Sequence, residues 1–190
     1  VNDVPDTRDA ETVRVIAQQY AWNIHYPGPD GRFGETRIDL VDEQDNPIGL
    51  DRSSEFAEDD FTTINQLHIP VNRKIRVDLS SKDVIHNFKL PELRVSQDAI
   101  PGMVIPVHFT ATSTSEEFLK TTVGTKREGK GLEIACAQLC GLGHYRMKGY
   151  VTIHEEDDYQ AWLDEQASYL EEEDGDDWGD DGDDWGDDDW

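Results

Sequence analysis

Short stretches in which apolar and polar positions alternate dominate the chain as far as residue 155. The run TVRVIAQQYAWNIHY, residues 12–26, sets β-branched and aromatic side chains at rough alternation, and Pro27-Gly28-Pro29-Asp30-Gly31 closes it with a strong turn signal. Residues 32–62 are acidic, with weak strand signals such as 36–41. Alternation returns at 63–70, 74–79, 83–90 and 104–112, with Pro101-Gly102 as a turn before the last of these. Residues 132–135 and 149–154 complete the set. Short strands at turn-punctuated intervals predict an all-β sandwich or barrel.

The period changes after residue 155. Acidic residues lead, and Tyr159, Trp162, Leu163 and Tyr169 then fall at helical spacing. Acids in a first turn suit the helix dipole, so a short C-terminal helix is predicted over 156–170. The tail EEEDGDDWGDDGDDWGDDDW, residues 171–190, holds thirteen Asp or Glu and no Lys or Arg. Its self-repulsion and lack of aliphatic side chains predict disorder. Its Trp residues suit docking, but a solvated, salt-adapted tail is the plainer reading. Residues 1–11 are polar and are expected to be loose. The chain thus divides into a flexible segment (1–11), a β-domain (12–155), a helix (156–170) and an acidic tail (171–190).

The formal net charge of −25 narrows the partners. Nucleic acid is excluded, because phosphate binding needs a basic face. Opposite fields speed encounter, so a basic protein partner is favoured. A salt-adapted surface explains the same charge, and the two readings are compatible. No run approaches the roughly eighteen apolar residues that a membrane span needs, and no signal peptide is visible.

Candidate chemistry concentrates in Cys136-Ala-Gln-Leu-Cys140-Gly-Leu-Gly-His144-Tyr-Arg-Met147. Both cysteines of the chain lie here, with a His and one of its two Met. Thiolate, imidazole and thioether form a soft ligand set that suits copper. From Cys140 onward, C-x3-H-x2-M resembles the loop of a single-copper protein, which also needs a His from an earlier strand. His86, in Val84-Ile85-His86-Asn87-Phe88, is the natural candidate. Cys136 is one cysteine too many for a single ion. Two thiolates on one loop can bridge a copper pair, with one His capping each ion. Met147 would then be a weak axial ligand on one copper and a backbone carbonyl, that of Gln138, a ligand on the other. A C-x3-C pair alone reads equally well as a disulfide or redox pair. The added His and Met make copper the more specific reading, and zinc would prefer further Cys or His to Met. His25, His68, His108 and His154 lack such company in the sequence, and Met103 reads as packing.

The ligand segment resembles the CuA motif of cytochrome oxidase subunit II. Three further motifs agree in order. Asp83-Val84-Ile85-His86-Asn87-Phe88 matches the family's D-V-x-H-x-F/W strand. Asp98-Ala99-Ile100-Pro101-Gly102 matches its D-A-x-P-G turn, and Gln18-Gln19-Tyr20-Ala21-Trp22 is similar to its Q-W-Y-W segment. The likeness covers about residues 12–163. It implies a cupredoxin-type Greek-key fold and an extracytoplasmic (periplasmic) location. It implies two N-terminal membrane helices outside this chain. It also implies electron acceptance from cytochrome c through two coppers and delivery to haem in subunit I of an oxidase that reduces dioxygen. The chain itself would break no substrate bond. Asp83 and Asp98 are candidates for supporting the site or touching subunit I, or simply strand-end acids.

Two departures matter. Gln138 stands where the family has Glu, which puts in doubt a Mg²⁺ at the subunit I boundary. A carbonyl ligand survives that change. Tyr20 stands at the family's first Trp, where electrons enter in many members, and Trp22 at its second. Electrons are therefore expected to enter through Tyr20 or loop atoms. Competing readings are the CuA module of a nitric oxide reductase, a copper chaperone, and a metal-free disulfide module.

Overall fold

The computed structural model describes residues 4–175. Ten strands are found among them: β1 (Glu11–Gln18), β2 (Ala21–Tyr26), β3 (Phe61–Ile64), β4 (Gln66–Pro70), β5 (Lys74–Ser81), β6 (His86–Leu90), β7 (Val95–Ala99), β8 (Ile105–Thr110), β9 (Leu132–Cys136) and β10 (Lys148–His154). They form two five-stranded sheets, ordered β3-β2-β1-β5-β8 and β4-β10-β9-β6-β7. Pairing is antiparallel except for β1 with β5 and β10 with β4.

Side chains alternate across a strand, so the pattern of β5 sends Ile75, Val77 and Leu79 inward while Arg76, Asp78 and Ser80 face out. Val13, Val15, Ile24, Leu67, Ile69, Phe88 and Ile134 meet them in one core. Each such fully buried side chain contributes about 1.5–3 kcal/mol. Trp22 and Phe88 meet edge to face, with centroids 5.5 Å apart.

Several boundaries differ from the sequence expectation. The run 12–26 is a hairpin, β1 and β2, that turns at Gln19 and Tyr20. The run 63–70 belongs to two strands in different sheets, parted at Asn65 with φ +60°. Asn tolerates that conformation. Asn65 also accepts the Trp22 N–H through Oδ1 at 2.9 Å and the Tyr150 N–H through its carbonyl at 2.8 Å. Residues 36–41 form no strand: Ile38–Leu40 is a 3-10 turn, and Thr36 makes an isolated bridge to Leu50. Met103, expected to pack, is half exposed.

Strand β7 and helix α1 (Ser115–Thr122) were not expected. A capping box starts α1: the Thr114 hydroxyl accepts the Glu117 N–H, and Glu117 accepts the Thr114 N–H. The C-terminal helix α2 (Glu156–Gly175) runs past residue 170 into the segment assigned to the tail. Trp162 fastens it, stacking on His68 at 4.2 Å and meeting the edges of Tyr26 and Phe61. Residues 1–11 include a 3-10 turn at Thr7–Asp9, and Arg76 Nη1 donates to the Pro5 carbonyl at 3.0 Å. The disorder expected of the tail beyond Gly175 lies outside the described residues.

Candidate metal centre

Residues 136–147 connect β9 to β10 and turn back through a 3-10 turn at His144–Arg146. Two backbone bonds close the base: Cys136 N–H donates to the Met147 carbonyl at 3.3 Å, and Ala137 N–H to that of Asn87 at 3.2 Å. The second ties the loop to β6, which carries His86.

Cys136 and Cys140 are free thiols with sulfurs 3.7 Å apart. His86 Nδ1 lies 3.9 Å from Cys136 Sγ, and His144 Nδ1 lies 3.6 Å from Cys140 Sγ. Met147 Sδ is 3.1 Å from His86 Nδ1 and 3.7 Å from Cys140 Sγ. The Gln138 carbonyl accepts from Cys136 Sγ at 3.1 Å. Donor atoms of His86, Cys136 and Cys140 all fall within 4.8 Å of one another, and His144 joins through Cys140. The structure therefore gathers all six residues named as ligands from sequence. Two sulfurs, two imidazole nitrogens, a thioether and a carbonyl form the soft, mixed donor set that fits copper.

Burial grades the cluster. His86, Cys140 and Met147 are buried, Cys136 and His144 are half-buried, and Gln138 is exposed. Burial pushes the Cys140 thiol up to about 11, and the neighbouring Cys136 thiol adds to the rise. A cation bound to the sulfurs would reverse that, since a coordinating thiol is deprotonated outright.

Asp83 stands behind His86, with Oδ1 2.8 Å from Nε2. This fixes the tautomer by hydrogen bonding: Nε2 carries the proton and Nδ1 turns its lone pair to the sulfurs. Burial alone would raise the Asp83 carboxyl. Hydrogen bonds from His86 and from the Gln19 and Val84 N–H groups outweigh it and hold the carboxyl below its ordinary range. Asp98 does not join the cluster: it is exposed on β7 and accepts from Asn87 Nδ2 at 2.7 Å.

Gln19 was missed from sequence, although it lies in the aromatic segment. Its backbone N–H donates to Asp83 Oδ2 at 2.7 Å, and its Nε2 donates to the Cys140 carbonyl at 2.6 Å. Tyr20 supports the loop from below. A Cβ at Gly143 would come within 2.5 Å of the Tyr20 ring, and one at Gly141 within 2.6 Å of its hydroxyl. Arg146 sits 5.6 Å over the same ring. Trp22 is fully buried, edge-on to His86 with centroids 6.2 Å apart. Around the site Leu139, Leu142 and Tyr145 are 80%, 96% and 86% exposed, an apolar rim on an acidic protein.

Three histidines that look isolated in the sequence have partners in space. His25 Nε2 meets Asp60 at 2.6 Å, and His68 Nδ1 meets His154 Nε2 at 2.8 Å. Only contacts between distant segments reveal these pairs.

Residues 11–153 match the family model for the periplasmic domain of cytochrome c oxidase subunit II. The alternative cytochrome c oxidase subunit 2 of Bradyrhizobium diazoefficiens is 35% identical over 162 residues, 85% of this chain and 53% of that protein. Subunit 2 of Cereibacter sphaeroides is 29% identical over 81% of this chain and 48% of its own length. The chain thus spans about half the length of these relatives. Among solved structures, the periplasmic domain of subunit II of cytochrome oxidase of Bradyrhizobium japonicum aligns with TM-score 0.57 and 26% identity, over 88% of this chain and 99% of that one. A subunit II caught in a mixed disulfide intermediate with a thioredoxin-like protein aligns with TM-score 0.54 and 26% identity, over 88% of this chain and 96% of that one.

Proposed function

Because the chain belongs to the cytochrome c oxidase subunit II family through its periplasmic domain, we propose that residues 136–147 with His86 hold a two-copper CuA centre. One observation carries this reading: two thiols 3.7 Å apart each face an imidazole of their own, His86 for Cys136 and His144 for Cys140. Met147 and the Gln138 carbonyl complete the donor set. Copper held by these residues would supply one-electron redox chemistry.

The remaining residues position and shield. Asp83 orients His86, Gln19 ties that carboxylate to the thiol loop, and Trp22 and Phe88 wall off water below. Electrons would arrive from cytochrome c over the apolar rim, with Tyr20 and Arg146 the aromatic and cationic groups beside the loop. Trp22 is too deeply buried to meet a donor and would serve as the floor. They would leave to haem in subunit I of an oxidase that reduces dioxygen. Asp98, exposed on β7, offers a contact to that subunit. The neutral Gln138 side chain gives a Mg²⁺ at the same boundary no carboxylate. The oxidase identity of the relatives favours this reading over a nitric oxide reductase, and the β-sandwich with His and Met after the cysteines favours it over a chaperone. Full-length protein would be membrane-anchored, with this domain on the extracytoplasmic side.

Copper loading requires both thiols reduced. Cys136 is the more exposed of the two, so a thioredoxin-like reductant would attack there first, in line with the mixed disulfide seen for a matched subunit II. Metal analysis with electron-spin resonance of the copper-loaded chain tests the proposal. Two coppers per chain and a multi-line mixed-valence signal are expected; one copper per chain with a four-line signal overturns it.

A further inference from the structure

The turn between β1 and β2 reaches the metal centre through Gln19, and its two contacts differ in kind. The backbone N–H donates to Asp83 Oδ2 at 2.7 Å, a bond that any residue but proline could make. The side chain makes the other: Nε2 donates to the Cys140 carbonyl at 2.6 Å. Only a side chain with a donor at that reach can do so. The first bond acts on His86 through the carboxylate. The second acts on the thiol loop, and Gln19 is otherwise exposed, so the fold gains little from its side chain.

The loop leaves room for this amide. No backbone N–H among the described residues reaches the Cys140 carbonyl. Gly141 follows at φ +134°, and a Cβ there would come within 2.7 Å of Gln19 Nε2. The side-chain space absent at 141 is therefore where the Gln19 amide lies. Cys140 is also the most shared member of the donor set. Its sulfur lies 3.7 Å from those of Cys136 and Met147 and 3.6 Å from His144 Nδ1. Asp83 sets a negative charge behind His86, whereas the amide turns the positive end of its N–H dipole toward Cys140. Hydrogen bonds near a ligating sulfur tune the potential of a copper site, and a positive dipole favours the state that holds the extra electron.

On the two-copper reading above, on which this inference rests, we propose that the Gln19 side-chain amide is a positioning residue for electron transfer: it pins Cys140 by its carbonyl and raises the electron affinity of the centre. It acts through the Cys140 peptide and is no ligand. Without it the loop base stays closed, since the Cys136 and Ala137 backbone bonds remain, so both thiols are kept while electrons are accepted less readily.

Three variants of the 190-residue chain separate the amide from its shape. Gln19→Met keeps the length and loses the donor, Gln19→Glu brings a negative charge, and Gln19→Lys restores a donor. Each is loaded with copper, assayed for metal and titrated against mediator dyes, and amide exchange is followed in the metal-free chain. All three should take two coppers per chain. Gln19→Met should move the reduction equilibrium toward the oxidised form by at most about tenfold, the whole worth of one neutral hydrogen bond. Gln19→Glu should move it further the same way, and Gln19→Lys should return it to the parent position or beyond. In the metal-free chain, Gln19→Met should quicken exchange in residues 141–144 and leave β5 unchanged. A Met variant that matches the parent, or a Lys variant displaced in the same direction as Met, overturns the proposal while leaving the two-copper reading intact. A parent chain that takes up a single copper overturns that reading and this inference with it.

Discussion

Two of the excursions from the sandwich are held by opposite means. Residues 136–147 send buried Cys140 and Met147 into the main core and leave apolar Leu139, Leu142 and Tyr145 outside. Residues 27–60 turn inward mostly through their own polar groups. Asp42 accepts two backbone N–H groups, Asn46 bonds to Leu40 and Leu50, and Arg52 bonds the carbonyls of Ala57 and Asp60. Their apolar contribution is a small satellite of Ile48, Leu50 and Ala57 against Ile16. The first excursion is anchored by the fold and offers its chemistry outward; the second is a self-bonded cover over one sheet.

If that contrast holds, damage to each should stay local. Cys136→Ser should produce the largest effect, complete loss of the two-copper spectrum, while urea unfolding of the metal-free chain changes by less than about 1 kcal/mol, because the side chain is only half-buried at the edge of the core and serine nearly matches its shape. Asp60→Ala is the counterpart in the cover. It strands the His25 Nε2 and Gly34 donors in a buried site and should cost about 2–4 kcal/mol in urea unfolding, yet leave the copper spectrum intact. A lost spectrum there would show that the two excursions share one foundation. Gly143→Ala drives a Cβ against the Tyr20 ring and should cost about 1–3 kcal/mol, with a shifted copper spectrum rather than an absent one.

The smallest expected effect concerns a third region, the seat of α2. Burial and the neighbouring His154 hold the His68 pKa down to about 4, and burial lowers that of His154. A depressed histidine pKa means that protonation favours the undocked state. The stabilisation is therefore full above the ordinary value near 6.5 and fades as pH falls from there toward 4. Amide exchange along α2 should quicken over that window while β5 stays protected. Equal quickening in β5 would mean that the helix and the sandwich open together.

The contrast also explains what could be read before folding. Metal chemistry demands particular donors at fixed spacing, so Cys136, Cys140, His144 and Met147 identify themselves, and His86 follows from the need for a second imidazole on a strand. Asp83 was legible three residues from its histidine. The cover was not legible, because side chain to backbone bonds such as those of Asp42 leave no periodic trace. Its weak alternation at 36–41 became a 3-10 turn. The split at Asn65 was hidden because both halves of the run alternate well, and only the left-handed residue marks the crossing to the other sheet. Helix α1 carried a readable signal, Thr114 three residues before Glu117, on a segment too short for a clear helical period. The pairing of His25 with Asp60 depends on a return of the chain after thirty-five residues, beyond the reach of any local pattern.

Gln19 has a consequence for anyone transplanting this ligand loop. Through one residue the first hairpin grips both the carboxylate behind His86 and the carbonyl of Cys140. A graft of residues 136–147 onto a foreign β-scaffold, even with a histidine supplied on the neighbouring strand, would leave that clamp behind, and its two halves would drift independently. The minimal portable unit is three separate pieces of chain: the hairpin tip, the Asp83–His86 arm and the loop itself.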